Sequence, residues 1–315
     1  MSDAIVPDPV AVGSASRESA GARILDRGYR RYDGERRGLR AAVKSLAVQT
    51  MQRSLGIRRS FWAKVFPALA VVIAYVPAIV FVGLSVLLKD QLDQAILRGN
   101  REILPTYGAY YGFVWAAILV FVAFVAPEVL CTDRRNGLLG LYLASPLNRD
   151  TYLVAKALAV TGAISLVTLG PPLLYLIGLT LNGRGPDGFD GFLLMLGRTL
   201  LAGVCVALLH VSLSFAVAST TTRRAAASAA IIMILLSSSI FAEVVVNSGG
   251  LSQNFLVFDI LFLPFELVYR IFGTGHVDRS FAAMSTWTIV AAYAAWTLAF
   301  AGFVRYRYQK IDVTR

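Results

Sequence analysis

Charge is scarce in this chain of 315 residues. Asp, Glu, Lys and Arg make up 16% of it and hydrophobic residues 57%, with a mean hydropathy of +0.64. A soluble domain carries about 25% charged residues and no apolar run of about 20, so a water-soluble globular enzyme is excluded. Histidine is scarcer still: His210 and His276 are the only two, too few for a multi-histidine metal site. Cys131 and Cys205 form neither a disulfide framework nor a metal-ligand spacing, so no metal site is expected. None of Lys44, Lys64, Lys89, Lys156 and Lys310 follows a glycine. The Gly-Lys-Ser/Thr core that cradles phosphates is therefore missing, and the chain has no ATPase site of its own. H-E-x-x-H and G-x-S-x-G are also absent. The first thirty residues hold Arg17, Arg23, Arg27 and Arg30 around no apolar core. That predicts no cleavable signal peptide and a cytosolic N-terminus.

What the chain does have is long apolar runs. A span needs about 20 apolar residues, and six such stretches read as 66–88, 106–130, 152–181, 199–220, 225–246 and 285–304. Residues 1–22 are small and polar and predict disorder. Residues 23–60 are basic, and Leu39, Val43, Leu46 and Thr50 fall on one face of a helix over 39–55. Arg36, Arg37, Arg40 and Lys44 flank that stripe, which suits an amphipathic helix on the cytosolic leaflet. The chain thus divides into a basic segment 1–60, a six-helix membrane domain 61–304 and a tail 305–315.

The net charge of +11 would suggest nucleic acid in a soluble protein. Here the positive-inside rule accounts for it. With six spans and a cytosolic N-terminus, 23 of the 30 basic residues lie inside, so no nucleic-acid partner is expected. The stretch 255–272 is apolar but carries Asp259, Glu266 and Arg270, each expensive at the centre of a lipid-facing helix. A seventh span would also put the basic C-terminus outside. A re-entrant or interfacial hairpin before the last span fits better, with Asp259 and Glu266 on one face if the helix continues across Pro264.

Isolated side chains admit two readings each. Glu128, at the cytosolic end of the second span, and Glu243, near the outer end of the fifth, fall on opposite sides of the bilayer, so they cannot form a catalytic pair. Each is either an interfacial packing carboxylate or a substrate or proton site. His210, near the middle of its span, is either a neutral hydrogen-bonding partner of a neighbouring helix or a functional group. Gly170-Pro171-Pro172 bends the third span, either as a hinge in a transport pathway or as the start of a half-helix. Pro77 in the first span is of the same kind.

The segment between spans two and three is the most informative. Pro127-Glu128 leads into Asp133-Arg134-Arg135-Asn136-Gly137-Leu138-Leu139 and then Leu141-Tyr142-Leu143-Ala144-Ser145-Pro146. A short helix capped at Thr132 or Asp133 is expected to stop before Pro146, with Asp150 capping the third span. Such an apolar loop must bury its leucines on the membrane surface or on a partner.

This segment, with Tyr152-Leu153-Val154-Ala155-Lys156 after it, resembles the permease subunits of type 2 ATP-binding-cassette exporters, closest to their actinobacterial branch. Arg27-Gly28-Tyr29-Arg30-Arg31-Tyr32-Asp33-Gly34 and Thr222-Arg223-Arg224-Ala225 are similar to the same family, so the likeness covers nearly the whole chain. It implies an all-α polytopic fold: six transmembrane helices, an N-terminal amphipathic connecting helix, a cytosolic coupling helix and a re-entrant hairpin. It also implies that Asp133, Arg134, Arg135, Gly137, Leu138, Leu139, Leu141, Tyr142 and Leu143 dock a separate ATPase, with Leu139 and Tyr142 as anchors and Arg134 at the rim. ATP and Mg would then be bound by that ATPase, and no cofactor by this chain. A second permease protomer and membrane lipid complete the implied partners, in a bacterial cytoplasmic membrane with both termini cytosolic. The rival readings are a polytopic membrane enzyme, which the missing catalytic motifs oppose, and a non-transporting scaffold or assembly factor.

Overall fold

The computed structural model describes residues 38–57, 59–89, 91, 94 and 104–311. Residues 1–37, with the segment at Arg27–Gly34, and residues 312–315 lie outside the described residues. All regular structure among the described residues is helical. Six helical segments are long and apolar enough to cross a membrane: Phe61–Leu87, Tyr107–Arg135, Arg149–Leu181, Gly188–Ala218, Arg224–Val246 and Thr286–Gln309.

The connecting helix α1 (Leu39–Ser54) buries Leu46, Thr50 and Ser54, while Leu39, at the start of the expected stripe, is exposed. Span one is α2 (Phe61–Leu87), continuous through Pro67 and Pro77. Span two is α3 (Tyr107–Phe124) joined at Val125 to α4 (Ala126–Arg135). A short helix α5 (Leu139–Leu143) leads to span three, which is α6 (Arg149–Thr168) and α7 (Gly170–Leu181). Spans four and five are α8 (Gly188–Ala218) and α9 (Arg224–Glu243), the latter extended by a π-turn over Val244–Ser248. A 3-10 helix (Gln253–Phe258) and α10 (Leu263–Phe272) precede span six, α11 (Thr286–Gln309).

Spans two and four form the centre, each 67% buried over its most apolar window; spans one and five reach 22% and span six 11%. The outer helices therefore leave broad apolar faces for lipid or protein to cover. Their seams are held by close contact and by tyrosine hydroxyls on carbonyls of other helices, where lipid offers no alternative partner. Tyr110 donates to the Ala74 carbonyl at 3.2 Å and Tyr111 to that of Thr199 at 3.3 Å. Tyr293 reaches the Cys205 carbonyl at 2.8 Å. At the α2–α7 seam a Cβ on Gly170 would lie 1.9 Å from the Tyr75 hydroxyl oxygen, and one on Gly178 would lie 2.5 Å from Val82. Span one can seat there because both positions lack a side chain.

Five local expectations are corrected. The helix of span two does not stop at Leu130 but runs to Arg135, and neither Thr132 nor Asp133 caps a new one. The chain turns instead at Asn136-Gly137, where Gly137 takes φ 64°, a left-handed conformation that glycine adopts without a Cβ clash. Asn148, not Asp150, caps α6, in a reciprocal capping box with Thr151. Asp259 and Glu266 do not share a helix, because Asp259 ends the 3-10 helix and α10 starts only at Leu263. Span four also starts earlier than expected, at Gly188: Arg198 inside it donates to the Phe272 carbonyl at 3.0 Å, so that charge does not end the helix.

Residues 255–272 pack against α8. The Phe272 end meets Arg198 and Phe265 meets the His210 ring at 6.1 Å, and these two α8 residues are about 18 Å apart along the helix. Asp259 accepts from the Phe262 amide at 3.0 Å and the Ser239 hydroxyl at 3.3 Å. Glu266, fully buried, accepts from Arg270 Nε at 2.7 Å and the Val277 amide at 2.9 Å, and pairs with His276 Nδ1 at 2.8 Å. Each carboxylate flagged by the sequence as expensive thus has partners.

Candidate functional site

The end of the bundle that carries Arg59, Arg134, Arg149 and Arg224 is built around buried charge. On the last turn of α4, Asp133 points inward and is 1% exposed. Lys156 of α6 places Nζ 2.6 Å from its Oδ2, and the Tyr152 hydroxyl donates to the same oxygen at 2.9 Å. Arg53 of α1 approaches Oδ1 to 3.7 Å, an electrostatic contact that leaves that oxygen without a hydrogen bond. The Lys156 ammonium also lies 5.1 Å from the centre of the Tyr142 ring and 5.5 Å from that of Tyr152, within cation–π range. Tyr142 belongs to α5; its ring is 5.4 Å from Tyr152, which stacks on Tyr308 of α11 at 6.0 Å. Burial, reinforced by the Asp133 charge, pushes the Tyr142 phenol above its ordinary pKa. One joint therefore ties α1, α4, α5, α6 and α11.

A second clamp lies beside it. Glu128, 9% exposed, pairs with Arg59, just before span one, and with Arg224 Nη1 at 2.9 Å, where span five starts. Arg224 also donates to the Phe124 carbonyl at 2.7 Å, at the Val125 joint. Two further arginines close helix C-termini, where carbonyls lack intrahelical donors. Arg134 Nη1 reaches the carbonyls of Ala218, Ser219 and Thr221 at 3.3, 2.5 and 3.2 Å. Arg149 reaches those of Tyr308 at 3.2 Å, Gln309, and Ile311 at 3.1 Å.

The residues expected to dock a partner divide accordingly. Asp133 and Leu139 are buried and Arg134 is tied to the end of α8. Leu138, Tyr142 and Leu143 are half-buried against the bundle. Arg135, Gly137 and Leu141 point outward, Leu141 at 71% exposure, with Ala144, Ser145 and Pro146 beside them. The outward face of this loop is thus one leucine and a polar turn, carried by a short helix whose inner face is locked to the joint.

The other candidates do not meet there. His210 is buried and its Nδ1 bonds the Val206 carbonyl of its own helix at 2.7 Å, while its ring meets Phe265 of α10 edge-on. Pro171 and Pro172 are buried in the first turn of α7, where a proline needs no amide donor. Glu243 is exposed at the far end of α9. Lys156, Tyr152, Arg270 and His276 were missed. The Glu266–Arg270 spacing was a usable helical signal, whereas nothing local links Asp133 to Lys156. Among the described residues no three His, Cys, Asp or Glu side chains gather as a metal site would require.

A bundle of six long apolar helices, ion-paired at one end, is a multi-pass helical membrane protein. Residues 44–313 match the family model described as ABC-2 family transporter protein, and the chain belongs to that family. It is thus a membrane permease subunit of an ABC transporter, a class whose ATPase is a partner. No individual curated protein matches the chain.

Proposed function

We propose that this permease works as an exporter in the bacterial cytoplasmic membrane, with both termini and the loop at Arg134 in the cytosol. The charge asymmetry of the loops supports that orientation. The helix pair over 253–272 is then a re-entrant hairpin entering from outside, and α1 lies at the cytosolic leaflet. The separate ATPase docks on the outward face of the α4–α6 loop, with Leu141 as the apolar anchor and Arg135 at the rim. It binds ATP and Mg; this chain performs no covalent chemistry. A second permease protomer completes the pathway, and the exposed faces of spans one and five offer it surface. Nucleotide-driven movement of the ATPase pushes α5. The ring and ion-pair joint at Asp133, Lys156, Tyr142 and Tyr152 passes that push to spans two, three and six, biasing a two-state bundle.

One observation carries this reading: an exposed leucine stands on a short helix whose other side is fixed to buried charge. Disulfide trapping tests it. With Cys131 and Cys205 replaced, a cysteine at Leu141 should cross-link to the co-expressed ATPase, while one at Leu251 should not. Failure at Leu141 in a complex that still hydrolyses ATP and transports would overturn the docking assignment.

A further inference from the structure

At the basic end, α6, α8 and α11 diverge and leave an open groove of about 470 Å³. Asp150 and Arg305 stand at its mouth, paired through Arg305 Nε at 3.1 Å and Nη2 at 3.2 Å. Both side chains remain accessible, Arg305 at 64% and Asp150 at 48%. We propose that this groove binds one phospholipid with a primary-amine headgroup from the leaflet at that end, with an acyl chain along the groove and its headgroup across Asp150 and Arg305. This goes beyond the transport reading and does not depend on it.

The lining selects a hydrocarbon chain. Small residues, Ala157 and Ala301, leave the space, and Leu208, Val211 and Phe215 form its wall. Two of the three hydroxyls that line its walls bond their own helices: Ser212 donates to the Leu209 carbonyl and Thr297 to that of Tyr293, both at 2.8 Å, which leaves Thr161 at the inner end. The wall therefore offers a polar occupant little to bond. Length agrees as well. From Asp150 to Thr161 the groove follows α6 for about 16 Å at 1.5 Å per residue, and half of a hydrocarbon core is about 15 Å. The groove thus starts at charge and ends near the bilayer middle, as one leaflet's lipid does.

The mouth selects the headgroup. A guanidinium has five N–H donors and a carboxylate about four acceptor sites, so the pair can bind further groups of both signs. Phosphate fits Arg305 and a primary ammonium fits Asp150. A glycerol headgroup brings Asp150 no second cation beside Arg305, and a choline headgroup has no N–H to donate.

The test uses the full-length protein in nanodiscs containing phosphatidylethanolamine, phosphatidylglycerol or phosphatidylcholine, each with a photoreactive acyl chain, and maps labelled peptides by mass spectrometry. The ethanolamine lipid should label 153–161, 208–215 and 297–304 about three- to tenfold more than the other two at equal mole fraction. Asp150→Asn should erase the preference over the glycerol lipid while labelling continues. Arg305→Gln should lower labelling by all three lipids. Ala157→Leu with Ala301→Phe should reduce these peptides to the level of the remaining surface. Equal labelling by the three lipids in wild type and in Asp150→Asn would overturn the headgroup assignment. Labelling that groove filling leaves unchanged in a protein of normal melting temperature would overturn the site. So would efficient disulfide formation between two copies through cysteines at Val154, since a protomer would then cover the groove.

Discussion

Asp133 and Lys156 meet at 2.6 Å with neither side chain more than 3% exposed, one at the end of span two and the other in the second turn of span three. Removing one partner of a buried pair strands the other charge, which costs about 3–5 kcal/mol, whereas replacing both with neutral groups of similar size is close to neutral. Asp133→Asn and Lys156→Met should therefore each lower the melting temperature sharply in detergent, and the double variant should recover most of the loss. A double-mutant cycle by thermal unfolding checks this. Additive losses would mean that the two groups do not interact.

The two leucines of α5 should separate folding from docking. Leu139 is 7% exposed and packs inside the chain, so Leu139→Ala should destabilise the permease by about 2–5 kcal/mol. Leu141 is 71% exposed, so Leu141→Ala should leave its unfolding unchanged. If Leu141 is an anchor, losing it removes about 1.5–3 kcal/mol of apolar transfer, roughly a tenfold to hundredfold weaker ATPase complex. Co-purification yield and transport-coupled ATP hydrolysis measure the second effect.

Arg134 should behave as a helix cap. Its charge-assisted bonds to the end of span four are worth about 1.5–3 kcal/mol. Arg134→Ala should show that loss in thermal unfolding, and the ATPase complex of Arg134→Ala should show no greater salt sensitivity than wild type. A salt-dependent binding defect with unchanged stability would instead place the side chain at the partner's rim.

His210→Leu should retain transport and lose less than about 1 kcal/mol. The ring bonds only a carbonyl of its own helix, and membrane hydrogen bonds average about 0.6 kcal/mol. Loss of transport in a well-folded, fully assembled variant would reveal a role for the imidazole.

Glu266 should matter more than its distance from the docking loop suggests. Glu266→Ala strands the Arg270 and His276 groups that converge on it and should lower stability by several kcal/mol. Glu266→Gln should recover part of that loss. Thermal unfolding of the two variants side by side checks it.

The six spans were legible because lipid imposes a length on any crossing helix, and hydropathy alone carries that length. The joint was not. Asp133 and Lys156 belong to different helices, and only tertiary packing says that they face each other rather than a partner. The charged run after Leu130 read as the start of a separate short helix for the same reason: Arg134 is tolerated in span two because it closes the end of span four. The break at Asn136-Gly137 had a local signal, yet a cap at Thr132 or Asp133 competed with it and lost once Asp133 was buried. At 259–266, a shared face required one helix to continue across Pro264, whereas Asp259 satisfies the Phe262 amide and fixes a turn ahead of the helix that begins at Leu263.

The arginine caps bear on how the chain is made. In the proposed topology Arg134, Arg149 and Arg224 count among the charges that orient the nascent helices at the insertion machinery, and they bind carbonyls at helix ends or joints in the folded chain. Targeting information and folding information thus reside in the same side chains. Moving these charges to invert the protein would also open the termini of spans four and six and the Val125 joint. Lysine replacements would preserve the signal read during insertion while removing the planar fork that closes the helices, yielding a correctly inserted but poorly packed protein for quality-control proteases to remove.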